Sequence, residues 1–218
     1  MEKPIFPMEY IRITQGYNEG THLDSYAIDN AGKDTTISDV KAPYTGVIKK
    51  IYQNDANEVW LESSSEVEYP DGTIDYMTIM FAHDNDVSNL FVGKVIKQGE
   101  VFYHEGTKGN ATGNHCHIEC GKGKFVNNGW HKNSAGYWGI NNGKKPEECL
   151  WIDESTKIIS ANNYKFKKIP TTVVEKPDIA NSTKDNTKDN KTEKIFIAPE
   201  NNLYGVYLKE NQKVIIQY

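Results

Sequence analysis

The strongest constraint on this chain is the recurrence of short β-rich runs cut by turn residues. Gly46–Tyr52, Glu58–Glu62 and Tyr76–His83 are rich in Val, Ile and aromatic residues and are bounded by Gly, Asn, Asp and Pro. Runs of roughly four to eight residues, with turn signals about every eight to twelve, predict antiparallel sheet rather than helical crossovers between parallel strands. Only Asp86–Phe91 suggests a helical turn or two. The first domain is therefore expected to be mainly β.

The composition changes after Pro170. Residues 181–191 carry a near-repeat of Thr-Lys-Asp-Asn with no aromatic side chain, so the stretch offers almost nothing to bury and is expected to be a disordered linker. β character returns in Lys194–Ile197 and Lys213–Ile216, but a piece this short is too small to build a core alone. The expected organisation is a domain over 1–168, a linker over 169–194 and a short C-terminal segment over 195–218, whose role the sequence leaves open.

Charge and hydropathy exclude several functions. The 218 residues carry a formal net charge of −5, which argues against nucleic acid as the main partner. No run of about 18 apolar residues is present, so no membrane insertion is expected. The opening residues Met1–Phe6 have no apolar stretch of signal-peptide length. The expectation is synthesis in the cytoplasm without a signal peptide, with some other route out if the substrate lies outside. Cys116 and Cys120 share a strand face but stand roughly 13 Å apart, too far for a disulfide. With Cys149 they are read as reduced, mostly buried thiols.

Candidate chemistry centres on His115-Cys116-His117, behind the glycine-rich turn Gly106–Gly113. Side chains alternate along a strand, so His115 and His117 point one way and Cys116 the other. Far upstream, His22 lies close to Asp24 and Asp29. Together these supply the nitrogen and oxygen ligands that zinc takes. Glu119, two residues beyond His117 on the same face, reads as a hydrogen-bond partner of a ligand rather than a ligand. His104 and His131 read as ordinary histidines. The aromatic and asparagine-rich loops 127–133 and 137–142 are candidates for substrate contact or plain packing.

The stretch Gly106–Glu119 resembles the lysostaphin/LytM-type zinc metallopeptidases, family 23 of the metallopeptidases, whose signature is a small-residue turn, Thr-Gly-x-His-x-His and a hydrophobic residue. Three further stretches fit that family in the same order. Gln15-Gly16-Tyr17 leading to His22 and Tyr26-Ala27-Ile28-Asp29 looks like its first metal motif. Ala42-Pro43-Tyr44-Thr45-Gly46-Val47 resembles its Ala-Pro-x-x-Gly-x-Val strand, and Phe81-Ala82-His83 its central histidine motif. The resemblance spans roughly residues 10–155.

The resemblance implies an antiparallel β domain whose groove holds one zinc ion per chain on His22, Asp29 and His117, with a fourth position open. It implies His83 and His115 as the catalytic pair beside the metal, without saying which is the base. Here His22 and Asp29 are seven residues apart, which fits a longer variant of the motif and leaves Asp24 as a rival ligand. The implied activity is cleavage of peptide bonds in the stem peptides or cross-links of bacterial peptidoglycan, as in a phage or prophage lysin reaching the cell wall after release. The alternatives are a catalytically inactive LytM-like module and a virion-associated protein that opens the wall.

Overall fold

The computed structural model describes residues 1–170 in full and, as backbone only, three strands beyond them. The chain divides into two compact units, Met1–Thr172 and Val173–Tyr218. Among the described residues no helix is long and apolar enough to cross a membrane.

The first unit is built on β1 (Tyr10–Gln15), β2 (Ile28–Asn30), β3 (Asp39–Lys41), β4 (Gly46–Tyr52), β5 (Glu58–Ser63), β6 (Met77–Ala82), β7 (Val95–Ile96), β8 (Val101–His104), β9 (Cys116–Lys122), β10 (Trp130–Lys132), β11 (Trp138–Ile140), β12 (Gly143–Lys144) and β13 (Lys157–Ser160). Nine of these form one sheet in the order β13-β1-β2-β9-β6-β5-β4-β7, with β12 added on β9. Every pairing in it is antiparallel except β13 with β1. The expected antiparallel, mainly β domain is what the chain adopts. The strands anticipated at 46–52, 58–62 and 76–83 appear within a residue of those limits.

Alternation along the central strands sorts side chains between two faces. Ile28, Val59, Leu61, Ile79, Phe81, Cys116 and Ile118 face the main core and are fully buried. The ladder of β3 with β8 packs over that face. Two buried tyrosines there keep their hydroxyls satisfied, Tyr44 donating to the Leu61 carbonyl and Tyr103 to the Asn57 carbonyl, both at 2.7 Å. Met77–Ala82 reads as a continuous apolar run because its other face is covered too, by a smaller cluster of Trp60, Met80, Ala82 and Ile140 packed with Phe125 and Trp130.

This second face carries the candidate site residues. Register sets Asp29, His117 and Ala82 in one row across β2, β9 and β6. Glu119, Met80 and Trp60 form the next row across β9, β6 and β5. Ala82, the smallest side chain of the first row, leaves space above the sheet between the histidines.

The stretch expected to be helical, Asp86–Phe91, is instead a single turn in which the Leu90 amide donates to the Val87 carbonyl. Asp86 spends its carboxylate on the Ser88 amide at 2.9 Å, a local turn that competes with helix. Short helical turns form elsewhere, at Gly20–His22, Asn127–Gly129 and Pro146–Cys149.

In the second unit, β14 (Ile195–Ile197), β15 (Leu203–Tyr207) and β16 (Lys213–Gln217) form a three-stranded antiparallel sheet. Two of these strands were anticipated. Most of the expected linker, 171–194, lies outside the described residues.

Candidate metal centre and groove

Five expected side chains meet above the row formed by Asp29, His117 and Ala82. Asp29 is the hub: its Oδ1 lies 3.3 Å from His22 Nε2 and 3.0 Å from His117 Nδ1, and its Oδ2 lies 3.6 Å from His115 Nε2. The His83 and His115 rings are 4.5 Å apart, and His83 is 5.9 Å from His117. Asp24, the rival ligand, points elsewhere and accepts hydrogen bonds from the amide and hydroxyl of Ser134.

Backbone carbonyls fix the orientation of three rings. The Nδ1–H groups of His22, His83 and His115 donate to the carbonyls of Gly16 (3.1 Å), Lys108 (2.7 Å) and Gly113 (2.8 Å). A carbonyl only accepts, so each Nδ1 carries the proton and each Nε2 presents a lone pair to the site. His117 is mounted the other way round. Its Nε2–H donates to Glu119 Oε1 at 3.1 Å, which leaves Nδ1 facing Asp29. Glu119 is itself held by the Ile140 amide, which donates to its Oε2 at 2.8 Å.

His83 stands just past the end of β6 with φ of 89°, in the left-handed region where a side chain is strained. Its neighbours impose that conformation. Its amide donates to the Ala56 carbonyl at 2.7 Å, and its own carbonyl accepts from the Lys108 amide at 3.1 Å. Gly106 allows the close approach: a Cβ there would lie 2.3 Å from the His83 carbonyl oxygen.

The donor set fits a zinc ion. His22 Nε2, Asp29 Oδ1 and His117 Nδ1 lie within 4.8 Å of one another, with the two separations from Asp29 at 3.0 and 3.3 Å. A tetrahedral centre with bonds near 2.0–2.1 Å places its ligands about 3.3 Å apart. Three acceptor lone pairs turned on one point repel unless a cation, proton or metal, lies between them. Electrostatics agree. Burial opposes charge on both Asp29 and His117, but their mutual hydrogen bond outweighs it and holds the Asp29 carboxyl far below the usual range. The same bond, with Glu119, lifts His117 to about 10. His83 moves the other way, burial pushing it down to about 4.

A cleft of about 190 Å³ opens over the site, walled by Trp130, Tyr137 and Trp138. The aromatic loops noted in the sequence thus reach the site. His131 faces a neighbouring cavity, and His104 pairs with buried Asp84 at 3.2 Å, so neither joins the donor set. All three cysteines are buried and unpaired. Asp55 and Glu58, which no motif marks, also line the cleft.

No protein-family model matches this chain. It is 36% identical over 133 residues to Morphogenesis protein 1 of Bacillus phage B103, covering 58% of this chain and 34% of that protein. The chain thus spans about a third of the length of that relative. Among solved structures it is similar to the catalytic domain of the antimicrobial peptidase lysostaphin from Staphylococcus simulans, at a TM-score of 0.42 and 20% identity over 62% of this chain and 89% of that one. It is also similar to the catalytic domain of the prophage-encoded M23 protein EnpA from Enterococcus faecalis, at a TM-score of 0.39 and 20% identity over 54% of this chain and 88% of that one.

Proposed function

We propose that this chain is a zinc-dependent endopeptidase of the lysostaphin/LytM type, hydrolysing peptide bonds in bacterial peptidoglycan. The observation that carries the reading is the convergence of His22 Nε2, Asp29 Oδ1 and His117 Nδ1 on one point, with His83 and His115 beside it. The order of four sequence motifs that resemble the family supports it.

His22, Asp29 and His117 are the residues that would hold one zinc ion per chain. A bound zinc ion supplies Lewis acidity toward a peptide carbonyl and toward water. His83 presents an unprotonated Nε2, since its Nδ1–H is committed to the Lys108 carbonyl and burial disfavours the charged ring. That nitrogen is suited to taking a proton. His115, its ring tilted 55° to that of His83 and likewise anchored through Nδ1, is placed to share the proton's transfer to the leaving amine. The aromatic walls exclude water from one side of the cleft and offer flat faces to a peptide or sugar.

A phage or prophage lysin that acts on the cell wall is one setting for this activity. The likeness to a phage morphogenesis protein favours a second, a virion-associated protein that opens the wall. An inactive module is the weaker reading, because all five side chains are present and mutually oriented.

The test is metal analysis of the purified chain and of His117→Ala, with turbidity of isolated cell walls followed in parallel. About one zinc per chain, lost in the variant together with wall hydrolysis, is the expected result. A well-folded wild type that takes up no zinc overturns the mechanism.

A further inference from the structure

Glu58 opens β5 at the edge of the cleft and has no role in the metal centre. It is 8% exposed, and its Oε2 is covered and has no hydrogen-bond partner. A buried carboxylate oxygen without a donor is unfavourable, and more so when charged. Asp55, three residues earlier and exposed, lines the same cleft. Among the described residues neither forms an ion pair with a lysine or arginine.

The four carboxylates that line the cleft, Asp29, Asp55, Glu58 and Glu119, are not equivalent. Asp29 is shared by His22 and His117, and Glu119 is spent on His117 and the Ile140 amide. No lysine or arginine lines the cleft to balance the other two. Lys50 lies within electrostatic reach of Glu58 but forms no ion pair with it: its Nζ donates to the Asn128 carbonyl at 2.8 Å and sits 3.8 Å over the Trp130 ring. The uncompensated charge is thus concentrated at Asp55 and Glu58. Burial, with the Asp55 charge adding to it, holds the Glu58 carboxyl above its usual range.

We infer that Asp55 and Glu58 form an anionic subsite that receives a primary ammonium group of the peptide, close to the bond being cut. The inference rests on the peptidase reading and names the substrate class of that site. An ammonium suits the place because it is compact and brings three donors, enough for the orphaned Glu58 oxygen and for Asp55 together. A peptide offers such a group either as a free α-amine or as the side-chain amine of a diamino acid.

The test uses the zinc-loaded full chain and the tripeptide Ala-Lys-Ala amide in four forms: unmodified, acetylated at the α-amine, acetylated at the lysine amine, and acetylated at both. Binding is read from tryptophan fluorescence, since Trp130 and Trp138 line the cleft. The doubly acetylated peptide is expected to bind about tenfold more weakly than the best free amine. Whichever single acetylation reproduces that loss identifies the amine. Glu58→Gln and Asp55→Asn, both close to isosteric, should each shrink the preference to under about threefold while leaving zinc content unchanged. Equal affinity for all four peptides, no saturable binding of any, or a preference untouched in both variants overturns the subsite. Wall hydrolysis is scored separately. A chain that prefers amines and cuts no wall loses the peptidase reading, whereas one that cuts walls and ignores the amine loses the subsite.

Discussion

Glu119 accepts a hydrogen bond from His117 Nε2 at 3.1 Å and so decides which nitrogen of that ring faces Asp29. Glu119 cannot turn away, because its second oxygen accepts from the Ile140 amide. Glu119→Gln keeps one acceptor but removes the charge, and leaves either Ile140 or His117 without its partner. Zinc affinity should fall about 10–100-fold, measured by competition with a chromophoric chelator, while the far-ultraviolet spectrum stays that of wild type. An unchanged affinity would show that Glu119 plays no part in presenting the ring.

Gly106 is the second point of leverage, through shape rather than charge. Gly106→Ala places a methyl group 2.3 Å from the His83 carbonyl oxygen, which is backbone and cannot swing aside. The loss should be about 2 kcal/mol in chemical denaturation. The strained φ at His83 depends on the same contact, so wall hydrolysis should drop further than stability explains. Gly113→Ala, where an added Cβ meets nothing within 4 Å, is the matched control for stability.

The histidines also make stability depend on pH in opposite senses in the metal-free chain. His83 is lowered to about 4 by burial, so between its unfolded value near 6.5 and that value the unfolded chain binds a proton the folded one refuses. Stability therefore falls as pH drops from about 6.5 to about 4, by on the order of 3 kcal/mol from this group. His117 is lifted to about 10 against the opposing effect of burial, so its contribution is complete below about 6.5 and disappears as pH rises through about 10. Denaturation midpoints of chelator-treated wild type and His83→Gln should diverge on the acid limb and run parallel above pH 7. Parallel curves throughout would remove His83 as the source.

Thiol chemistry provides a test independent of the site. Cys116, Cys120 and Cys149 are all buried and unpaired, and burial raises the Cys116 thiol well above its ordinary value. A thiolate-specific reagent at pH 8 should label none of the three in the folded chain and all three in denaturant. Rapid labelling of native protein would contradict the packing of β9 against the core.

Much of this arrangement was legible beforehand because period-two alternation is a property of the sequence itself. Val59 and Leu61 on one face, and His115 and His117 on one side of Cys116, follow from spacing alone. The choice of Asp29 over Asp24 did not follow from spacing. It depends on a register that pairs Asp29 with His117 across β2 and β9, while Asp24 turns out to Ser134. The anchoring carbonyls of Gly16, Lys108 and Gly113 were invisible because every residue has a carbonyl. Glu58 was read only as part of a strand, since its burial without a partner for Oε2 is a matter of tertiary packing. The helical signal at Asp86–Phe91 lost to local side-chain turns.

The pairing of Asp29 with His117 joins two points 88 residues apart in the chain. Neither half of the centre exists alone, and the loops carrying Gly16, Lys108 and Gly113 must all close before the rings are aimed. A growing chain therefore has no assembled centre until synthesis has passed β9 and the sheet has zipped shut. The proposed capacity to cut is thus timed by topology.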